Sequence, residues 1–274
     1  MSKLALHDIT LCAASDIALE ATIRALEHCL DHIKFANALL LSSHPVTRKT
    51  RHEITHIPIK PLRSASAYSE FILGDLNNHI QTKFALVVQW DGFVLDPLSW
   101  TDEFLDFDYI GAPWIDQPPG LDVGNGGFSL RSRKLLEVCA QPWFRRSHPV
   151  DLCIAQVNRK ALETAGIRIA SHAIASRFSR ERGRHIAPHF GVHGIFALAE
   201  QMDFPAFEDL LATVEFGVMG KRDLLDIIKI CSERNEAHSF VARRCRVEFL
   251  RRFPVDRRTP RVAMELFKSG LHPK

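Results

Sequence analysis

Along the first third of the chain, short apolar runs alternate with segments whose apolar residues recur every three or four positions. Ile9 to Ala14 is a run of the first kind and reads as a buried strand. Ser15-Asp16 then reads as the N-cap of a helix reaching about Ile33, with Ile23, Leu26, Leu30 and Ile33 on one side. Ala38 to Leu41 is a second strand. Ile54 to Ile59 is a third, which Pro58 makes short and confines to an edge. Ser66 to about His79 reads as an amphipathic helix with Tyr68, Phe71, Ile72 and Leu76 on its apolar side, and the apolar run from Phe84 to Val88 follows. This alternation predicts an α/β fold: a mostly parallel sheet flanked by helices, with ligands at the carboxyl ends of its strands.

The run at Phe84 leads into Gln89-Trp90-Asp91-Gly92. Residues two apart on a strand point the same way, so Gln89 and Asp91 are expected to face one pocket. Two oxygen donors there make half a shell for a hard divalent cation, and Gly92 lets a ligand come close. Ala13 and Ser15 lie at a neighbouring strand end, so a nucleotide is expected to lie across both. No Gly-x-Gly-x-x-Gly follows the first strand and no Gly-Lys-Ser or Gly-Lys-Thr occurs. Those absences argue against a dinucleotide enzyme and a P-loop ATPase.

Beyond Asp91 the chain becomes irregular and aromatic, with a Pro118-Pro119-Gly120 loop expected to cover a site. In Gly124-Asn125-Gly126-Gly127 the glycines allow close approach of a ligand. A strand is expected next, and Ser132 is placed to cap a helix running through Cys139. A helix from about Val150 to Ala165 puts Asp151 in its first turn, and Ile167 to Ala170 reads as a further strand.

With 274 residues, 46% of them hydrophobic, the chain suits one large domain or one domain with an appendage. No apolar run approaches the roughly 20 residues of a membrane span. No basic-then-apolar leader opens the sequence, so a cytoplasmic location is expected. The six cysteines show no Cys-x-x-Cys spacing and are expected to be reduced and mostly buried. A formal charge of +3 makes no case for nucleic acid. From Lys221 to Lys274, however, Lys and Arg are about twice as numerous as Asp and Glu. That basic stretch reads either as a solvated helical face or as a contact for an anionic lipid surface or a phosphorylated acceptor.

Four stretches occur in order: Gln89-Trp90-Asp91-Gly92, Asp108-Tyr109-Ile110-Gly111-Ala112-Pro113-Trp114, Gly124 to Ser132, and Phe190-Gly191-Val192-His193-Gly194. Together they resemble a bacterial and fungal domain family of unassigned function related to GT-A glycosyltransferases. The resemblance covers about Ile9 to Gly194. It implies a GT-A-like, Rossmann-like catalytic domain over residues 1–205 and a basic helical segment over 206–274. It implies Mn2+ or Mg2+ held by Asp91 and His193. Gln89 stands where the family pattern has the first aspartate of Asp-x-Asp, which weakens the metal requirement. Donor contacts are implied at Ala13, Ser15, Gln89, Asp91, Gly92, Asn125, Gly126 and Gly127, and a catalytic base at Asp151, which favours inversion.

The implied activity is transfer of a sugar from a nucleotide-sugar donor, a UDP-sugar by preference, to a glycan or lipid-linked acceptor. Surface polysaccharide or glycolipid assembly is the expected setting. Two other readings stay open: a nucleotide-sugar hydrolase or nucleotidyltransferase, and a non-catalytic nucleotide- or glycan-binding module.

Overall fold

Eleven residues, Leu4–Ala14, form β1, the strand on which the first part of the chain is built. The computed structural model describes residues 3–182, 188–233 and 236–270, and the chain falls into two units, residues 1–193 and 194–274. In the first unit β1 leads to α1 (Leu19–His32), β2 (Ile33–Ser42) and β3 (Thr55–Pro58). The helix α2 (Ala65–Glu70) continues through a π turn, Phe71–Asp75, and a 3-10 turn, Leu76–His79, towards β4 (Phe84–Val88). β5 (Gly92–Val94), β6 (Tyr109–Gly111), β7 (Phe128–Ser132) and α3 (Arg133–Cys139) follow. The helix α4 (Val150–Leu152) passes through a π turn, Cys153–Val157, into α5 (Arg159–Thr164). Last come α6 (His172–Phe178), β8 (Ser179–Arg180) and β9 (Gly191–His193).

The main sheet has the order β3-β2-β1-β4-β7-β6. Its first four strands are mutually parallel, while β7 runs antiparallel to both β4 and β6. The expected mainly parallel sheet flanked by helices is therefore present, with β3 at an edge. Strands covered on both faces are continuous apolar runs, and the last four residues of β4 and the last six of β1 are buried. A second sheet, β5-β9-β8, stands beside the first.

Two local expectations are corrected. Ser15-Asp16 does not cap α1. The N-cap is Ala18, in the left-handed conformation at φ 47° and without a side-chain cap. The Asp16 carboxylate instead accepts from the backbone N–H of Ser43 (2.7 Å) and Leu62 (2.6 Å) and from the Ser42 hydroxyl (3.1 Å). It ties the ends of β1 and β2 together, and those amides lie too far along the chain for a local pattern to reveal. Ile167 to Ala170 does not form a strand: it makes one parallel bridge, Tyr109 to Ile169. With only three residues in β6, there is no length to pair along. Ser132 does cap α3, accepting from Leu135 N–H at 3.0 Å.

The second unit comprises α7 (Ile195–Gln201), α8 (Phe204–Ala212), α9 (Lys221–Ser232), α10 (Glu236–Arg252) and α11 (Thr259–Gly270). Leu224, Ile227, Ile228 and Cys231 form the buried stripe of α9 at helical spacing. Among the described residues no helix is long and apolar enough to cross a membrane. All six cysteines are free and buried, as expected.

Candidate functional site

The strand β4 stops at Val88 and the chain turns, with Gly92 N–H donating to the Gln89 carbonyl at 3.1 Å. Gln89 and Asp91 therefore do not alternate on a strand, and that part of the reading is corrected. Gln89 N–H still continues the β4–β7 ladder, donating to Gly127 O at 2.8 Å, and the chain turns after it because Gly92 already belongs to β5, paired with β9. The Gln89 amide nitrogen donates to the Tyr68 hydroxyl at 3.1 Å, while Asp91 turns elsewhere.

Asp91 turns towards His193. The β5–β9 register sets Gly92 opposite His193, which brings a residue a hundred positions away to the end of the central strand. His193 Nε2 lies 3.3 Å from Asp91 Oδ1, and Nδ1, on the other side of the ring, lies 4.0 Å from Glu181 Oε1. Asp91 Oδ1 and both ring nitrogens are buried, and none makes a hydrogen bond of good geometry. Buried polar atoms without such partners are costly and uncommon, and they concentrate where a ligand completes the set.

The loop before β7 makes room for the ring. A Cβ on Gly127 would fall 1.9 Å from His193 Nε2. The Asn125 side chain accepts from Gly127 N–H at 2.8 Å, and the Ser129 hydroxyl donates to Gly126 O at 3.0 Å. Asn125 therefore shapes the loop with its side chain. A Cβ on Gly126 would meet Arg131 Nη2 and the Asp151 Cβ, each at 3.3 Å. Arg131 is 1% exposed. Its Nε donates to Ser129 Oγ at 3.1 Å, its guanidinium lies 5.6 Å from the Tyr109 ring centre, and Nη2 has no partner. Asp151 stands in the first turn of α4, accepting from Leu152 N–H at 2.9 Å.

The charges in this cluster feel one another. Burial alone would lower the His193 pKa, but the Asp91 carboxylate, with Glu181 and Asp151 behind it, raises it to about 9. That pull favours the protonated form of the ring. Burial pushes the Glu181 carboxyl up, against the pull of His193 and Arg182. Burial also raises the Tyr68 and Tyr109 hydroxyls, opposed by Arg131 and reinforced by Asp151. Asp151 thus acts on Tyr68, Tyr109, Glu181 and His193 alike, which puts its carboxylate in the same cluster.

Of the residues singled out in the sequence, Asp91, Gly92, Gly127 and His193 meet directly, with Gly126 and Asp151 adjoining. Gln89 stands beside them through Tyr68. Ala13 is buried within β1, whose Cys12 pairs with Val87 of β4, so Ala13 lies at the same sheet end as the turn. The Ser15 hydroxyl is taken up locally, donating to Ile17 O and accepting from Ile17 N–H. Glu181 and Arg131 were not identified from the sequence. Arg131 sits inside the glycine-rich motif, where its position was a signal, whereas Glu181 lies in a run of mixed charges that gives none.

Among the described residues no group of three His, Cys, Asp or Glu could hold a metal. Asp91 and His193 offer two donors side by side. That pair fits an ion that draws the rest of its shell from substrate phosphates and water, as small hard divalent cations do.

The model of a family described as protein of unknown function (DUF5672) matches residues 51–193, more than half of the chain and every member of this cluster. No curated protein matches the sequence. Among solved structures, a glycosyltransferase involved in the glycosylation of the major capsid of PBCV-1 is similar, with 16% identity and a TM-score of 0.39. The match covers 68% of this chain and 92% of that one. At that level of similarity, function has to be argued from the residues of this chain.

Proposed function

The chain belongs to the DUF5672 family, and from the cluster around Asp91 we propose that it is a nucleotide-sugar-dependent glycosyltransferase. Its acceptor is a glycan or lipid-linked saccharide, in the assembly of a surface polysaccharide or glycolipid. One observation carries the reading. At the carboxyl end of a central parallel strand, where such sheets bind ligands, Asp91 and His193 stand 3.3 Å apart with buried polar atoms that lack hydrogen bonds. Donor phosphate oxygens would accept from the ring N–H, and a divalent cation that displaces the ring proton would take Asp91 Oδ1 as a second ligand.

Asp91 and His193 would hold Mn2+ or Mg2+, which when bound offsets the charge on the leaving diphosphate. To join that shell the His193 ring must give up its proton. Gly126 and Gly127 make room for Arg131, Asp151 and the His193 ring, and the donor sugar lies beside the loop so formed. Asp151, next to Gly126, accepts the proton of the attacking acceptor hydroxyl as general base. Arg131 holds the glycine loop through Ser129 and places fixed positive charge beneath it.

Asp91→Asn tests the reading, because it removes the charge and keeps the shape. Screened against UDP-, GDP- and dTDP-sugars, the wild-type protein is expected to bind one donor and hydrolyse it slowly without acceptor. Asp91→Asn is expected to lower turnover at least a hundredfold in a protein that still folds, with a lower melting temperature because the buried His193 ring loses its charged partner. Near-normal turnover in that variant would overturn the assignment. Release of sugar phosphate, or hydrolysis that no acceptor redirects, would replace it with a hydrolase or nucleotidyltransferase.

A further inference from the structure

The second unit carries a surface that the chemistry above does not use. Of the eleven large apolar side chains exposed among the described residues, five fall on or between α10 and α11: Phe240, Val247, Val255, Met264 and Phe267. They are not scattered. On α10, Phe240, Arg243, Arg244, Val247 and Arg251 are all exposed at helical spacing and share one outward face. On α11, Pro260, Ala263, Met264 and Phe267 follow the i, i+3, i+4, i+7 pattern of an apolar stripe, yet all four are exposed. That pattern marks a buried helix face, and nothing described in this unit covers it.

The exposed charge around these faces has one sign. Between 240 and 268 the exposed ionisable residues are Arg243, Arg244, Arg251, Arg257, Arg261 and Lys268, and no acid is exposed. Each acid of the stretch is held in an ion pair: Glu248 with Arg251 and Arg252, Asp256 with Lys221, and Glu265 with Arg246 and Arg261.

We propose that the outward faces of α10 and α11 dock the protein on an anionic lipid bilayer. A soluble polyanion would account for the cations but leaves Phe267, 69% exposed, and Met264, 58% exposed, in water. A plain apolar partner would account for those side chains but not for the one-sided charge. An anionic bilayer answers both: headgroup phosphates meet the arginines while Phe and Met enter the acyl boundary. Long Arg side chains suit this arrangement because their stems lie along apolar surface while their heads stay wet.

The proposal does not depend on the glycosyltransferase reading, since vesicle binding needs no nucleotide. The full chain is incubated with sedimenting vesicles of phosphatidylcholine, with or without 30% phosphatidylglycerol, at low and high salt. Binding is expected to be at least tenfold tighter to the anionic vesicles and to weaken in 0.5 M NaCl, as screened attraction does. The Arg257→Gln/Arg261→Gln double variant is expected to bind at least tenfold more weakly, each lost cation near a surface being worth roughly fivefold. Met264→Ser/Phe267→Ser is expected to weaken binding at least fivefold with an unchanged far-ultraviolet melt, since both side chains already stand in solvent. Equal binding to neutral vesicles, or none to either, would overturn the proposal. So would anionic binding that Met264→Ser/Phe267→Ser leaves unaltered, because the attraction would then be purely ionic. Light scattering that shows a dimer dissolved by Met264→Ser/Phe267→Ser would assign the face to a second copy of the chain instead.

Discussion

Gly127 and His193 share one space: a Cβ on the glycine would lie 1.9 Å from the imidazole Nε2. The glycine-rich stretch is therefore needed as much for packing the ring as for admitting a ligand. Gly127→Ala must move His193 away from Asp91 or distort the loop. Overpacking of this kind costs about 1–3 kcal/mol, so a fall of several degrees in melting temperature is expected. UDP affinity in the presence of Mn2+ should fall at least tenfold. Unchanged affinity would show that the ring does not contribute to the site.

A second prediction concerns the first unit's stability in acid. Glu27, on α1, is buried and accepts from Arg48 (2.9 and 3.1 Å) and from the backbone N–H of Arg51 (2.6 Å). Burial pushes its carboxyl up, but these donors together outweigh burial and hold it below its ordinary 4.5. A depressed folded-state value means stabilisation that is present above pH 4.5 and is lost as pH falls below it. Removal of a charged, buried hydrogen-bonding partner costs about 2–3 kcal/mol here, because both arginines reach solvent and relax. Glu27→Gln should therefore destabilise at pH 7 by that amount in urea and flatten the acid limb of stability against pH. A variant with wild-type stability at pH 7 would contradict the network.

The thiols give a simple check of the packing. Burial raises Cys12, Cys29, Cys139 and Cys245 to about 12, and all six cysteines are buried. Thiolate is the reactive form, so the native protein should react with Ellman's reagent only through opening of the fold. All six thiols should react at once in guanidinium chloride. Rapid reaction of any thiol in the native protein would mean that its pocket is open.

At the start of α3, Ser132 accepts from Leu135 N–H at 3.0 Å and donates to Asp108 Oδ1 at 2.6 Å. Ser132→Ala removes both bonds and should cost about 1–2 kcal/mol. The loss would appear as a lower urea midpoint with an unaltered slope.

The sheet was legible because parallel strands must be apolar throughout, and β1, β2 and β4 state this in their own residues. The Ser132 cap was legible because it is made three residues away. The start of α1 was not, since Asp16 serves amides of Ser43 and Leu62 rather than its own helix. For the site, the sequence named Asp91 and His193 as partners through motif resemblance. Their contact, however, depends on the three-residue pairing of β5 with β9, which local pattern does not reveal. Glu181 reaches His193 by a different pairing, that of β8 with β9. The sidedness inferred for Gln89 assumed that the strand runs on to Asp91, but the turn closed by Gly92 N–H on the Gln89 carbonyl ends it first.

Calorimetric titration of UDP into the wild-type protein, Asp91→Asn, His193→Ala and the double variant, each with Mn2+ and with EDTA, tests the central claim most directly. Shared coordination predicts Mn2+-dependent binding that either substitution weakens at least tenfold, with the double variant little worse than the worse single one. UDP binding that survives both substitutions and chelation unchanged would contradict it.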